Sequence, residues 1–205
     1  LKPTGKKTGT GANSTMEAIE LTSEAKRLGA DHVLLVTPYY NKPNQKGLIS
    51  HYSAIADAVN ISQILYNVPS RTACDLLPST VAILSNHKNI TGIKEAVADE
   101  IRIKELVAIS KDVNNEFLIF SGDDPTFMKS LLLGTHGVIS VSANVSPNTH
   151  SQICAAVRNG ELEKAKKIND INTNLYRLMF VESNPIPVKW ALYKMNMIKN
   201  SIRSP

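Results

Sequence analysis

The chain has 205 residues, of which 42% are hydrophobic and 20% charged, with a formal net charge of +5. This composition can bury a sizeable core and is not that of a disordered tract. No apolar run is long enough to span a bilayer and no signal-peptide core opens the chain, so a membrane partner is not expected. Aromatic residues make up only 5% and do not interleave with the lysine clusters, so stacking platforms for nucleic acid are missing and no nucleic-acid partner is expected. The two cysteines, Cys74 and Cys154, have no ligand spacing, which fits a reducing, cytoplasmic setting.

In chain order, Leu1-Lys2-Pro3-Thr4-Gly5-Lys6-Lys7-Thr8 has no strand pattern and reads as a disrupted leader. Ser14-Thr15-Met16-Glu17 has the form of a capping box, and the spacing of Ala18, Leu21, Ala25 and Leu28 predicts a helix with that stripe inward, ended at Gly29. Val33 to Val36 reads as a buried strand. Leu48, Tyr52, Ile55, Ala56 and Val59 form the next helical stripe, and Ile64-Leu65-Tyr66 the next strand. Pro78 opens a short helix through Leu84, Ile90 to Ile93 is a strand, and Ile101 to Ile109 has helical spacing. Phe117 to Phe120 is a strand closed by Ser121-Gly122-Asp123-Asp124. Asp123 and Asp124 are expected to cap the helix around Phe127 to Leu133. Gly137 to Val141 is the last strand, and helical patterns follow around 147–158, 162–179 and 186–195.

Five short apolar strands alternating with helices describe parallel βα units. No Gly-x-Gly-x-x-Gly follows a strand, and Thr8-Gly9-Thr10-Gly11-Ala12-Asn13 lacks the P-loop lysine, so neither dinucleotide binding nor a phosphate cradle is supported. Tyr39-Tyr40, Tyr66, Arg71, Lys94, Gly122-Asp123 and Ser140 all fall after strands, on the rim where barrel enzymes place their sites. The expectation is a (β/α)8 TIM barrel lacking its first strands, followed by a C-terminal helical region. The boundaries are 1–8 for the leader, 9–145 for the partial barrel and 146–205 for the helices. The five histidines (His32, His51, His87, His136, His150) neither pair at i, i+4 nor cluster with carboxylates, so no metal is expected.

Lys94 is the most informative residue. At a buried strand end, desolvation favours the neutral amine, which attacks carbonyls to form a Schiff base. By position alone a lysine there also fits a plain solvated strand end. Tyr66, one βα unit earlier, is placed for acid–base work, or alternatively as a core tyrosine.

Gly9-Thr10-Gly11-Ala12-Asn13, Thr37-Pro38-Tyr39-Tyr40-Asn41, Tyr66-Asn67-Val68-Pro69-Ser70-Arg71-Thr72, Gly92-Ile93-Lys94-Glu95, Ser121-Gly122-Asp123-Asp124, Gly137-Val138-Ile139-Ser140 and Asn184-Pro185-Ile186-Pro187-Val188-Lys189 together resemble the dihydrodipicolinate synthase family, pyruvate-dependent class I lyases also called 4-hydroxy-tetrahydrodipicolinate synthases. The resemblance implies that Lys94 forms the Schiff base with pyruvate and that Tyr66 shuttles protons beside it. The resulting enamine would attack L-aspartate 4-semialdehyde, on the route to diaminopimelate and lysine. Arg71 matches the arginine that receives the substrate carboxylate, and Tyr40 the tyrosine that reaches into a neighbouring subunit's site. A homo-oligomer, dimer or tetramer, is implied. Gly122 and Ile139 match backbone positions lining the pocket. Asn13, Glu17 and Tyr39 fall where some members bind lysine as a feedback inhibitor. No cofactor is implied, since pyruvate is bound covalently as substrate.

The two βα units and the Gly-Thr-Thr-Gly-Glu motif that open family members do not occur in this sequence. An N-terminally truncated enzyme is therefore expected, and little synthase activity from the 205-residue chain alone. The alternatives are an inactive truncated remnant, or a related pyruvate-dependent aldolase such as N-acetylneuraminate lyase.

Overall fold

The computed structural model describes residues 5–113 and 116–203. The chain forms two compact units, divided between Phe120 and Ser121.

In the first unit, β1 (Lys7–Gly9), β2 (His32–Val36), β3 (Ser62–Asn67), β4 (Ile90–Glu95) and β5 (Leu118–Ser121) lie side by side in chain order. The register is parallel from β1 to β4, with Leu34 opposite Ile64 and Tyr66 opposite Lys94. Between them come α1 (Thr15–Arg27), α2 (Gln45–Ala58), the single turn α3 (Pro69–Thr72), α4 (Pro78–Leu84) and α5 (Glu100–Asp112). Three of these helices start on side-chain caps. Ser14 accepts from the Glu17 N–H, Asn44 from Gly47 and Asp99 from Arg102, each supplying one of the donors a helix start leaves unpaired.

Two expectations are corrected here. Lys7–Gly9 is a strand although its sequence carries no apolar pattern; the Lys6 carbonyl accepts from the Asp31 and His32 N–H groups, the Lys6 N–H donates to Asp31 Oδ2 at 2.8 Å, and parallel backbone pairing holds it beside β2. Leu1 to Thr4 of the expected leader lie outside the described residues. On α1 the inward face is Ala18 and Thr22, while Leu21 and Leu28 point to solvent. Thr22 can occupy a fully buried position because its hydroxyl pairs with that of Thr10 at 2.9 Å. The α2 stripe is as expected: Leu48, Tyr52, Ile55, Ala56 and Val59 are all buried against Val33, Leu35 and Leu65. The Tyr52 hydroxyl donates to the Leu35 carbonyl at 3.3 Å, which satisfies its one polar atom.

The second unit begins at the end of β5. It contains α6 (Phe127–Leu132), the short β6 (Gly137–Val138), a 3-10 turn (Ser142–Asn144), α7 (Pro147–Arg158), α8 (Leu162–Leu178) and α9 (Ile186–Lys194). Its core gathers Phe127, Leu131, Ile153, Ala156, Ala165 and Tyr176. The expected strand 137–141 stops after Val138. Ser140 Oγ accepts from the Ala143 N–H at 2.9 Å and Asp124 Oδ2 from the Ser142 N–H at 2.8 Å, so side chains take the backbone groups a ladder would use. Asp123 does not cap α6 as expected: it accepts from the N–H and hydroxyl of Thr126, and Thr126 is itself the N-cap, with no side-chain bond to the helix start. Asp124 does not cap the helix; it holds the Ser142 turn. That turn is joined to α7 by His150 Nε2, which lies 3.1 Å from Ser140 Oγ and 2.9 Å from Ser142 Oγ.

Candidate functional site

β3 and β4 decide the geometry. Their parallel register sets Tyr66 directly opposite Lys94 on one face of the sheet, at the C-terminal ends of both strands. Lys94 Nζ lies 4.2 Å from the centre of the Tyr66 ring, in contact with its electron-rich face. Both side chains are half-buried. Burial pushes the Tyr66 phenol above its ordinary value, and the nearby charge of Arg71 acts against that. The phenol is thus kept protonated, able to donate beside an amine.

Arg71 sits on α3, exposed, four residues beyond the end of β3. This single turn is fixed from below by two threonines. Thr37, after β2, is fully buried and donates through Oγ1 to Thr72 Oγ1 at 3.2 Å, and its N–H donates to the Tyr66 carbonyl at 3.0 Å. The Thr72 hydroxyl reaches the Val68 and Cys74 carbonyls. Ala73 closes the turn at φ 54.

Tyr40 is 89% exposed and adopts φ 74. A bulky residue held in the left-handed region costs on the order of 1–3 kcal/mol, a strain that gathers at functional positions. Tyr39 is also exposed. Asn41 ties this segment to the start of α1, its Nδ2 donating to the Asn13 carbonyl at 2.9 Å. Glu17 lies exposed in the first turn of that helix, so Asn13, Glu17 and Tyr39 all belong to one corner of the first unit. Gly122 and Ile139 belong to the second unit. Gly122 follows β5, and the Ile139 N–H donates to the Ser121 carbonyl at 2.9 Å.

Behind the Tyr66–Lys94 pair is a buried polar cluster that the sequence reading did not single out. Glu95 is 1% exposed, and its carboxylate accepts from Asn67 Nδ2, the Val97 N–H and Arg102 Nη1, while Arg102 also pairs with Asp75. Burial raises the Glu95 carboxyl to about 7 in spite of those donors and of Arg102. A signal was present: in a strand, the neighbour of an outward Lys94 must face the helices, and a carboxylate there requires partners. Among the described residues no group of three or more His, Cys, Asp and Glu side chains could hold a metal. No helix among them is long and apolar enough to cross a membrane.

β3 and β4 thus present an amine and a protonated phenol together at adjacent ends of a parallel sheet. The chain belongs to the dihydrodipicolinate synthetase family, whose sequence model matches residues 7–205. It is 56% identical to the 4-hydroxy-tetrahydrodipicolinate synthase of Pseudomonas syringae over 197 residues, covering 96% of this chain and 66% of that protein. It therefore spans about two thirds of the length of the curated relatives it matches. Among solved structures, the chloride-inhibited dihydrodipicolinate synthase of Acinetobacter baumannii, complexed with pyruvate, superposes with a TM-score of 0.92 at 50% identity. That match covers 100% of this chain and 69% of the other. A monomeric dihydrodipicolinate synthase variant matches with a TM-score of 0.94 at 42% identity, over 97% of this chain and 67% of that one.

Proposed function

We propose that this chain carries the lysine chemistry of a 4-hydroxy-tetrahydrodipicolinate synthase, condensing pyruvate with L-aspartate 4-semialdehyde in lysine and diaminopimelate biosynthesis. The observation that carries the reading is the Tyr66–Lys94 pair, with Nζ 4.2 Å from the ring centre. The Lys94 amine attacks the keto carbon of pyruvate, and loss of water gives the imine. Loss of a methyl proton gives the enamine, whose carbon bonds to the aldehyde carbon of the second substrate. The amino nitrogen of the second substrate attacks the imine carbon to close the ring, and the Lys94 amine leaves from that carbon, which frees the lysine and the cyclic product. Tyr66 hands protons to and from the oxygen and nitrogen that change partners in these steps.

Arg71, with its planar fork of donors on a fixed turn, receives the carboxylate of the aldehyde substrate. By the family resemblance, Gly122 and Ile139 correspond to backbone positions that line the pocket in family members. The lysine itself carries the electrophile, so no cofactor is required. Tyr40 reaches into the site of a second subunit; its exposure and its strained backbone support that reading and with it a dimer or tetramer. Asn13, Glu17 and Tyr39 form a lysine-feedback site, supported by their shared corner of the first unit. The parallel strand order and the solved relatives support a (β/α)8 barrel as the architecture these strands belong to. Residues 9–145 are read as its part and 146–205 as the helical domain, although the compact units divide between Phe120 and Ser121, and the enzyme is read as cytoplasmic.

Incubation with both substrates and mass-spectrometric detection of the cyclic product tests this. Turnover, expected to be slow in a sequence without the Gly-Thr-Thr-Gly-Glu motif, that disappears in Lys94→Ala supports it. Turnover retained in that variant removes Lys94 from the mechanism.

A further inference from the structure

The β3–β4 seam carries two consecutive pairs, Tyr66 opposite Lys94 and then Asn67 opposite Glu95. Successive side chains of a strand face opposite sides, so the first pair looks to the site and the second to the helices. Both oxygens of Glu95 lie 3.1 Å from Asn67 Nδ2, and Oε1 also accepts from the Val97 N–H at 2.8 Å. Oε2 accepts from Arg102 Nη1 at 3.3 Å. Asn67 spends its remaining groups on the segment before α4: its Oδ1 accepts from the Leu76 N–H at 3.0 Å, and its Nδ2 donates to Asp75 Oδ1 at 2.9 Å. Arg102, from α5, closes the circuit on Asp75 Oδ2 at 2.5 Å and on the Leu76 carbonyl at 3.1 Å. Four side chains from β3, β4, α5 and the segment before α4 thus bind the strand ends that hold the reactive pair.

A buried carboxylate in an ion pair is rarely the most stable filling for such a place; apolar side chains of similar volume do as well or better. The proposed reaction uses none of these four groups. Their role lies in what they fix. We propose that Glu95 is a positioning residue for the Schiff-base chemistry, acting with Asn67, Asp75 and Arg102 to hold Lys94 and Tyr66 in register from behind the sheet. This rests on the reading of Lys94 as the Schiff-base lysine. The charged groups that act on Glu95 are Arg102 from α5 and Asp75 from the segment before α4; β3 contributes the neutral Asn67, and Lys94 and Tyr66 face away on the other side of the seam. Burial, opposed by these donors, brings the carboxyl to about 7, so the network changes charge inside the working pH range.

The test is the rate of borohydride trapping of pyruvate on Lys94 between pH 5.5 and 8.5, with thermal midpoints recorded alongside. In Glu95→Gln the rate at saturating pyruvate is expected to fall about tenfold, with the half-saturating pyruvate concentration unchanged and the inflection near pH 7 lost. A folded Glu95→Gln protein that traps at the parent rate with the parent pH profile overturns the proposal. Should that variant not fold, Asp75→Asn decides: removing a negative neighbour moves the inflection to lower pH, and an unmoved inflection overturns the proposal. If the parent protein traps no pyruvate at all, the Schiff-base reading itself has failed. In that case the Lys94 amine, reductively methylated with 13C-formaldehyde and assigned with Lys94→Arg, is followed by NMR. A methyl shift inflecting near pH 7 and losing that inflection in Glu95→Gln sustains the coupling across the seam; a flat shift in the parent overturns it.

Discussion

Two buried titratable groups give the first unit opposed pH dependences that hide each other. Burial lifts the Glu95 carboxyl from the ordinary 4.5 to about 7, and burial lowers His51 from 6.5 to about 4. At 1.36 kcal/mol for each tenfold change, either shift corresponds to about 3 kcal/mol at most, and roughly 2 after residual solvent screening. For Glu95 the folded state holds the extra proton. Its contribution is fully present below pH 4.5 and is lost as pH rises to about 7. For His51 the unfolded state holds the extra proton, so its cost grows as pH falls from 6.5 towards 4. Between about pH 4.5 and 6.5 the two slopes have opposite signs and nearly equal size, and they cancel. Urea unfolding at fixed salt across pH 4 to 7.5 exposes them through single variants. Glu95→Gln leaves His51 in command, so stability relative to the parent should rise by roughly 2–3 kcal/mol from pH 4.5 to 7. His51→Asn, which keeps a polar group able to hydrogen-bond the Thr15 hydroxyl now 2.9 Å from Nδ1, should show the opposite slope. Stability curves for both variants that run parallel to the parent curve would refute the reasoning.

A Cβ on Gly92 would stand 2.5 Å from the Leu118 carbonyl oxygen, so Gly92→Ala must push β5 off β4; a loss of roughly 1–3 kcal/mol is expected in urea unfolding, and an unchanged midpoint contradicts this. Tyr66→Phe keeps the ring over Lys94 and removes the hydroxyl, so single-turnover imine formation should slow by about 10²–10⁴ with the fold intact, as judged by near-ultraviolet circular dichroism. Thr72→Val breaks the hydroxyl link from Thr37 under the turn that carries Arg71. The KM for the aldehyde substrate should rise about tenfold while kcat stays within about twofold, as expected when binding is lost equally in ground and transition states.

The central strands and α2 were legible because their apolar residues follow one period and pack on one core. The lower boundary of α4 was marked by Pro78 at its first turn. Three features were not legible, each for a physical reason. β1 is held by backbone hydrogen bonds, which leave no trace in side-chain pattern. The inward face of α1 is hidden because Thr22 is polar and its buried partner, the Thr10 hydroxyl, lies outside the helix. β6 ends early because Ser140 and Asp124 capture the backbone groups of the following turn, a competition that depends on where the side chains lie in space. At the site, Lys94, Tyr66 and Arg71 stood out as chemically useful residues after strands. Their support did not: Thr37, Thr72 and the Asn67–Asp75–Glu95–Arg102 network are assembled from residues up to 35 positions apart.

The most direct test of the account is to reduce the protein with borohydride in the presence of pyruvate and map the modified peptide by mass spectrometry. The account requires a pyruvate-derived increment on Lys94 and its loss in Lys94→Ala. A folded protein that shows no increment, or carries it on another lysine, contradicts the assignment of Lys94 as the Schiff-base residue.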